Sequence, residues 1–299
     1  MKLPATFGEI ADEIVLFTGL PRNEVENRIW MEALEPGWNV CQDARRFGVR
    51  WHHYDEHMEQ LYREGDGFIF ETMVFWCKPY RRRWTELALE RIRDCAVRSG
   101  VEPADISILA LGDGTGNDSL LLAGNGLRVH YFDVPGSRTF DFAVRRFEQH
   151  ALLGDRITPV SCYEECLAHK YDAVVCYEVL EHLPDPRRTI HEISTMLKPG
   201  GIALITEDFG DVVPHLPTHL ASNDKYIGKT VKLFLRSGLA LRWYSREVLF
   251  RPAEFVKMDN VGTLEWLRLL RDPNVRGAYL SPWFNHVARF MNKIPYYRS

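Results

Sequence analysis

Five consecutive residues constrain this chain most: Gly112, Asp113, Gly114, Thr115 and Gly116. They follow a short apolar run at 106–111 (ISILAL) and precede a helical stretch at 117–123. An apolar run of strand length that stops at glycines reads as a buried parallel strand. Glycines at such a point permit a tight turn and close approach of the backbone to another group. Asn117 or Asp118 is placed to cap the helix. A second apolar run, 127–132 (LRVHYF), ends at Asp133. An acid about 20 residues beyond the glycines, at the tip of the second strand, suits a ribose diol. Read from the residues alone, the loop fits a dinucleotide site, although its third glycine comes one residue early and Asn117 stands where Gly or Ala is usual. A tight strand-to-helix turn without ligand is the other reading.

The pattern continues downstream. Residues 156–160, 171–176 (YDAVVC) and 202–206 (IALIT) read as further strands. Helices are predicted at 140–150, at 189–197 with Pro199, Gly200 and Gly201 as its stop, and at 225–236 ending at Gly238. Segments 239–244 and 248–257 are predicted to pair antiparallel. Strands alternating with helices give the fold class: an α/β, mostly parallel, doubly wound sheet. Residues 259–299 add one or two helices with Leu264, Leu267, Leu269 and Leu270 in the core.

Residues 1–103 read as a separate helical lobe. Ile10, Ile14, Val15 and Leu16 form one apolar face, and Val25, Ile29, Trp30 and Ala33 another, after Pro21. Trp84, Leu87, Ala88, Ile92 and Ala96 line a third helix that Gly100 ends. Residues 67–74 are the one stretch there that suits a strand. The lobe is expected to act as a cap, a lid or a dimerisation surface over the domain at 104–299.

Composition narrows the function. The chain of 299 residues is 45% hydrophobic and 26% charged, which suits a globular protein. No apolar run approaches the roughly 18 residues of a membrane span, and the start of the chain turns acidic before any signal-like apolar stretch. The formal net charge of −4 disfavours a nucleic-acid partner. The charge is uneven, with 9 Lys/Arg against 18 Asp/Glu over 101–212 and 14 against 6 over 213–299. Pairing of the basic end with the acidic middle is expected, with attraction of an anionic substrate as the alternative. Six cysteines without a C-x-x-C pair read as reduced thiols of a cytoplasmic protein. No metal is expected: Cys162 with Cys166, and His53 with His57, each lack further ligands, and Pro217 breaks the helical spacing of His215 and His219.

Four segments together, LALGDGTG, YFD, YDAVVCYEVLEHLPDP and MLKPGGIALIT, resemble the class I S-adenosylmethionine-dependent methyltransferases in order and spacing across about 104–257. The resemblance implies a seven-stranded sheet with an antiparallel last strand, S-adenosylmethionine as cofactor and S-adenosylhomocysteine as product. By position, Gly112, Gly114 and Gly116 would pass under the cofactor's amino-acid part and ribose. Asp133 would hold the ribose hydroxyls and Val134 would touch adenine, with Cys162 and Tyr163 at its border. Tyr177 and Glu178 would line the methionine side, and Glu181 and His182 match the family's Glu-His pair. The family's usual acid two residues before the first glycine is Ala110 here, and Asp113 is the residue expected to meet the cofactor's ammonium in its place.

Methyl transfer is an in-line displacement that needs orientation, and a base only for a hydroxyl or protonated amine. Ligands bind beyond the carboxyl ends of parallel strands, so the segment after the fifth strand supplies the acceptor-side candidates: Glu207, Asp208, His215 and His219. His219 is the candidate general base, and His182, Asp208, His215 and His219 are candidate acceptor contacts. The function expected is methylation of an oxygen or nitrogen of a small molecule, possible in a biosynthetic pathway and in a homodimer. A non-catalytic methyltransferase-like binding protein, favoured by Ala110, and a nucleic-acid methyltransferase, favoured by the basic end and Arg81–Arg83, are the alternatives.

Overall fold

Alternate residues of the central strands face opposite sides of the sheet, and both sides are apolar. Ile108 and Ala110 pack with Trp84, Ile92, Leu120 and Phe147, whereas Leu109 and Leu111 pack with Ile190, Ile193 and Phe234. Such a strand needs a helical layer on each side. The computed structural model describes residues 3–245, 247, 252–258, 267 and 269–280. Its seven strands are β1 (Ser107–Leu111), β2 (Arg128–Phe132), β3 (Ile157–Pro159), β4 (Tyr171–Tyr177), β5 (Leu197–Thr206), β6 (Leu239–Tyr244) and β7 (Ala253–Lys257). Their spatial order is β3-β2-β1-β4-β5-β7-β6. All neighbouring pairs are parallel except those of β7, which runs antiparallel to both β5 and β6. The order reverses between β1 and β4, which opens a crevice at the carboxyl ends of those strands.

Helices α6 (Pro79–Ser99), α7 (Asn117–Gly124) and α8 (Arg138–Gln149) cover one side of the sheet. The other side is covered by α9 (Tyr163–Ala168), α10 (Pro186–Met196) and α11 (Thr230–Arg236). Although α6 precedes residue 103, its apolar face belongs to the core of the sheet. The remaining lobe consists of α1 (Phe7–Thr18), α2 (Arg22–Leu34), α3 (Trp38–Arg46), α4 (Glu56–Glu64) and α5 (Gly67–Trp76).

Several expectations need correction. Residues 67–74 lie in helix α5, not a strand. Its apolar residues pack all round, with Ile69, Phe70, Met73 and Val74 in the core of the lobe, so no helical stripe was visible. A Cβ on Gly67 would lie 2.8 Å from the Asn39 carbonyl, so α5 starts against the backbone of α3. The helix expected at 225–236 starts late: a 3-10 turn occupies Ala221–Tyr226, and α11 begins at Thr230. The helix expected at 189–197 is α10, which ends at Met196, and Pro199, Gly200 and Gly201 lie past it, inside β5. Leu16 and Trp30 are exposed, and Trp30 meets the ring of Phe7 edge-on. At the end of the chain Leu269 is buried, Leu267 is exposed, and a helix spans Pro273–Leu280. Leu264 and residues 248–251 lie outside the described residues.

Arg81 is buried and forks onto Asp118 of α7 at 3.0 and 2.7 Å. Removing one partner of such a pair leaves a buried charge uncompensated. Arg81→Ala is expected to lower the unfolding free energy by about 3 kcal/mol, and Arg81→Met with Asp118→Leu to recover most of it, both read from urea melts.

Candidate functional site

The glycine loop is shaped by steric necessity. Gly112, Gly114 and Gly116 all have positive φ, at +71°, +55° and +76°. A Cβ on Gly112 would lie 2.5 Å from Val179, and one on Gly116 would lie 2.5 Å from the ring of Phe147. Above Gly114 stands Thr72 of α5, whose hydroxyl bonds that of Thr115 at 3.1 Å. The loop is therefore pressed between the strand ends and the helical lobe.

Charged side chains hold it there. Arg146 of α8 is buried and donates to the Thr115 carbonyl at 2.6 Å and to Asn117 Oδ1 at 2.8 Å. Its Nε pairs with Glu13 of α1 at 2.7 Å. Asp113 accepts from the backbone N–H groups of Asp118 and Ser119 at 3.0 and 2.7 Å. It thus caps α7 from outside the helix, where Asn117 or Asp118 was expected to do so. Both Asp113 oxygens serve the helix start, so an ammonium group at this carboxylate would share them with the backbone of α7.

Asp133 stands at the end of β2. Its Oδ2 accepts from Gly114 N at 2.7 Å and its Oδ1 from Val134 N at 2.8 Å. Burial pushes its carboxyl up, while those two backbone donors pull it down. Each oxygen retains a second lone pair for a further donor. A diol brings two such donors, so this carboxylate fits the ribose of a nucleoside cofactor. Tyr163 meets Phe132 at a ring distance of 5.4 Å and donates its hydroxyl to Glu192 at 3.0 Å. Cys162 precedes α9 as its cap residue. The two rings give an apolar wall beside Asp133.

On the other side of the crevice, β4 ends at Tyr177, whose hydroxyl donates to the Trp84 carbonyl at 3.3 Å. Glu178 follows with φ +54°, a left-handed conformation uncommon for a residue with a side chain. Its N–H donates to the Thr206 carbonyl at 3.2 Å and hydroxyl at 3.0 Å. Non-glycine residues held this way cost about 1–3 kcal/mol and cluster at functional sites. The chain then makes a 3-10 turn at Leu180–His182. Asn223 donates to the carbonyls of Glu181 and Leu183 at 3.0 Å each and fixes that turn.

The segment after β5 returns over the site and is bonded to the lobe. His52, itself at φ +61°, donates its N–H to the Pro217 carbonyl at 2.8 Å and accepts from Ala221 N at 3.1 Å. Its Nδ1 donates to the His219 carbonyl at 2.9 Å. Trp51 Nε1 donates to the Pro214 carbonyl at 2.8 Å. Gly37 leaves room for the His215 carbonyl, which a Cβ there would meet at 2.3 Å. The backbone of His215 thus docks on α3. His182 and His219 come together, with ring centroids 4.8 Å apart and planes at 88°. Asp208 is buried nearby in sequence to Glu207, whose carboxylate accepts from the Thr230 hydroxyl. His52, Trp51 and Asn223 carry no motif, and sequence reasoning missed them. A signal for His52 was the His-His pair at 52–53 outside any helix pattern.

A cavity of about 670 Å³ between α10 and α11 brings Arg187, Arg188, Lys225 and Arg236 to one wall system, with Asp185 among them. His53 and His57 lie apart from the crevice at the start of α4, where His57 is 4.0 Å from Asp55.

Residues 80–268 match a family described as a methyltransferase domain. A ubiquinone biosynthesis O-methyltransferase from Xanthomonas axonopodis pv. citri is 32% identical over 114 residues, 38% of this chain and 48% of that protein. One from Azotobacter vinelandii is 30% identical over 105 residues, 35% of this chain and 45% of that protein. The chain therefore spans less than half the length of these curated relatives. Among solved structures, magnesium protoporphyrin IX methyltransferase from Synechocystis PCC 6803, with bound SAH, is similar with a TM-score of 0.43 and 16% identity, covering 75% of this chain and 98% of that one. The N-methyltransferase NodS from Bradyrhizobium japonicum WM9 gives 0.39 and 18%, with 58% and 97% covered.

Gly112→Ala is expected to force Val179 aside and to lower the melting temperature. Adding Val179→Ala should restore part of the loss, with a coupling of about 1 kcal/mol in a double-mutant cycle.

Proposed function

Because the chain belongs to the methyltransferase-domain family, we propose that it is an S-adenosylmethionine-dependent methyltransferase acting on an oxygen or nitrogen of a small molecule. The observation that carries this reading is the pairing of the glycine loop with Asp133. A carboxylate bonded to Gly114 N at 2.7 Å, with lone pairs to spare, lies where a nucleoside diol would rest.

Gly112, Gly114 and Gly116 would give the cofactor a backbone surface, and Asp133 would hold its ribose. Val134, Cys162 and Tyr163 would border the adenine, with Phe132 as the added apolar wall. Tyr177 and Glu178 would face the methionine part. Asp113 contributes through the helix start that it caps. When bound, S-adenosylmethionine supplies an electrophilic methyl group on a positively charged sulfur. Glu178, Glu207 and Asp208 stand at the ends of β4 and β5, and their field favours a cation there.

The chain's own task is orientation and exclusion of water. The lobe supports this as a cap, because α5 covers the loop and His52 binds the segment 217–221 by backbone hydrogen bonds. His182, Asp208, His215 and His219 are the acceptor-side groups. His219 would take the proton of a hydroxyl acceptor; its ring lies against His182 at the strand ends. The O-methyltransferase relatives favour a hydroxyl acceptor. A cytoplasmic setting agrees with the six free cysteines and with the finding that no described helix is long and apolar enough to cross a membrane. A homodimer through the lobe is compatible with the exposed Trp30 and Leu34.

Calorimetric titration with S-adenosylmethionine and with S-adenosylhomocysteine tests the reading, and micromolar binding of both is expected. Asp133→Ala should weaken both by more than about tenfold, because a lost charged hydrogen-bond partner costs about 1.5–3 kcal/mol. Unchanged affinity would remove Asp133 from the ribose site. His219→Gln should leave cofactor binding within about twofold and lower the turnover of a hydroxyl acceptor by about 10²-fold or more.

A further inference from the structure

The buried carboxylate of Glu181 has no evident reason to be where it is. The side chain is 1% exposed, and neither oxygen has a hydrogen-bond partner on another described residue. A buried carboxylate left in this way is costly unless it is paired, protonated or bound to a cation. Burial, followed by the neighbouring charge of Glu178, pushes its carboxyl well up.

Two imidazoles surround it. One ligand atom each of Glu181, His182 and His219 lie within 4.8 Å of one another. His182 Nδ1 is 3.2 Å from the Thr218 carbonyl. A carbonyl only accepts, so Nδ1 carries the proton and Nε2 is left with its lone pair. A backbone carbonyl fixing the tautomer from behind is the usual support of a metal-bound histidine. The two arms of the site are bonded to each other, Leu220 N–H donating to the Glu181 carbonyl at 3.1 Å, and each is held further. Asn223 fixes the turn that carries Glu181 and His182, and His52 holds the backbone of His219.

We infer that Glu181, His182 and His219 form a binding site for a divalent transition-metal ion of the zinc type. Two imidazoles and one carboxylate suit such an ion and leave a coordination position open. Donor atoms around a tetrahedral zinc ion stand about 3.3 Å apart, so the three would have to draw in by at most about 1.5 Å. This departs from the expectation of no metal in the chain. The inference rests on the proposed function only in placing a hydroxyl acceptor at the open position. Such a hydroxyl, bound to the ion, would release its proton to water more readily, and His219 would then act as a ligand, not as the base.

Protein freed of metal with a chelator should be titrated with zinc chloride by calorimetry and with cobalt chloride by visible absorption. One Zn²⁺ per chain at micromolar affinity or tighter is expected, with a cobalt band in the visible. Glu181→Gln and His219→Gln should each weaken zinc binding at least tenfold and reduce the band, and His57→Gln should leave both unchanged. Zinc should raise the melting temperature of the native chain and not that of Glu181→Gln. No zinc binding by the native chain would overturn the site, and so would binding that survives both substitutions. A Glu181→Gln chain that melts higher than the native one, with no response of either to zinc, would mean that Glu181 is simply buried and protonated, which also overturns it. The cobalt spectrum of the native chain decides the matter if a variant does not fold. A parallel S-adenosylmethionine titration separates the two readings. Cofactor binding without zinc binding sinks the metal site alone, and zinc binding without cofactor binding sinks the methyltransferase reading alone.

Discussion

The buried guanidinium of Arg146 is the contact on which the rest of the architecture depends. It joins α8 to the Thr115 carbonyl in the glycine loop, to Asn117 at the start of α7 and to Glu13 in the helical lobe. A loop of three glycines with positive φ has little stiffness of its own. Its conformation is imposed from outside by Arg146 on one flank, Asp113 within it and Asp133 beneath it. Each of these is a charged group bonded to backbone, and such bonds are stronger and more directional than neutral ones.

The sheet was legible because its signals are local. Apolar runs of strand length gave β1, β2, β4 and β5, and the expected antiparallel pair appears as β6 and β7. The misread elements share a cause. Helix α5 is buried on several sides, and its sequence carries no polar face to reveal a period. The stretch before α11 was read as helix because Lys225 to Arg236 has helical composition, yet Gly228 at φ +68° breaks it.

The site divides along the same line. Asp133 and the three glycines were found because strand ends fix their spacing. The capping of α7 by Asp113 was not, since a capping carboxylate and an ammonium-binding one have the same sequence. His52 and Asn223 act through backbone carbonyls of distant segments, and no spacing records that. Glu181 and His219 come from turns after different strands, and the bonds of the segment after β5 to the Glu181 turn and to the lobe bring them together.

The lobe's core also has a consequence for the order in which the chain acquires its structure. Ile10, Ile14, Val25, Ile29, Ile69 and Phe70 surround Phe142, a side chain of α8. A ribosome delivers all of the lobe's helices before it delivers that residue. The lobe is therefore made first and completed late, after β1, the glycine loop and β2 have emerged. Contacts this distant in sequence slow folding because a long loop must close before they form. Until then the nascent lobe lacks the side chain that completes its core.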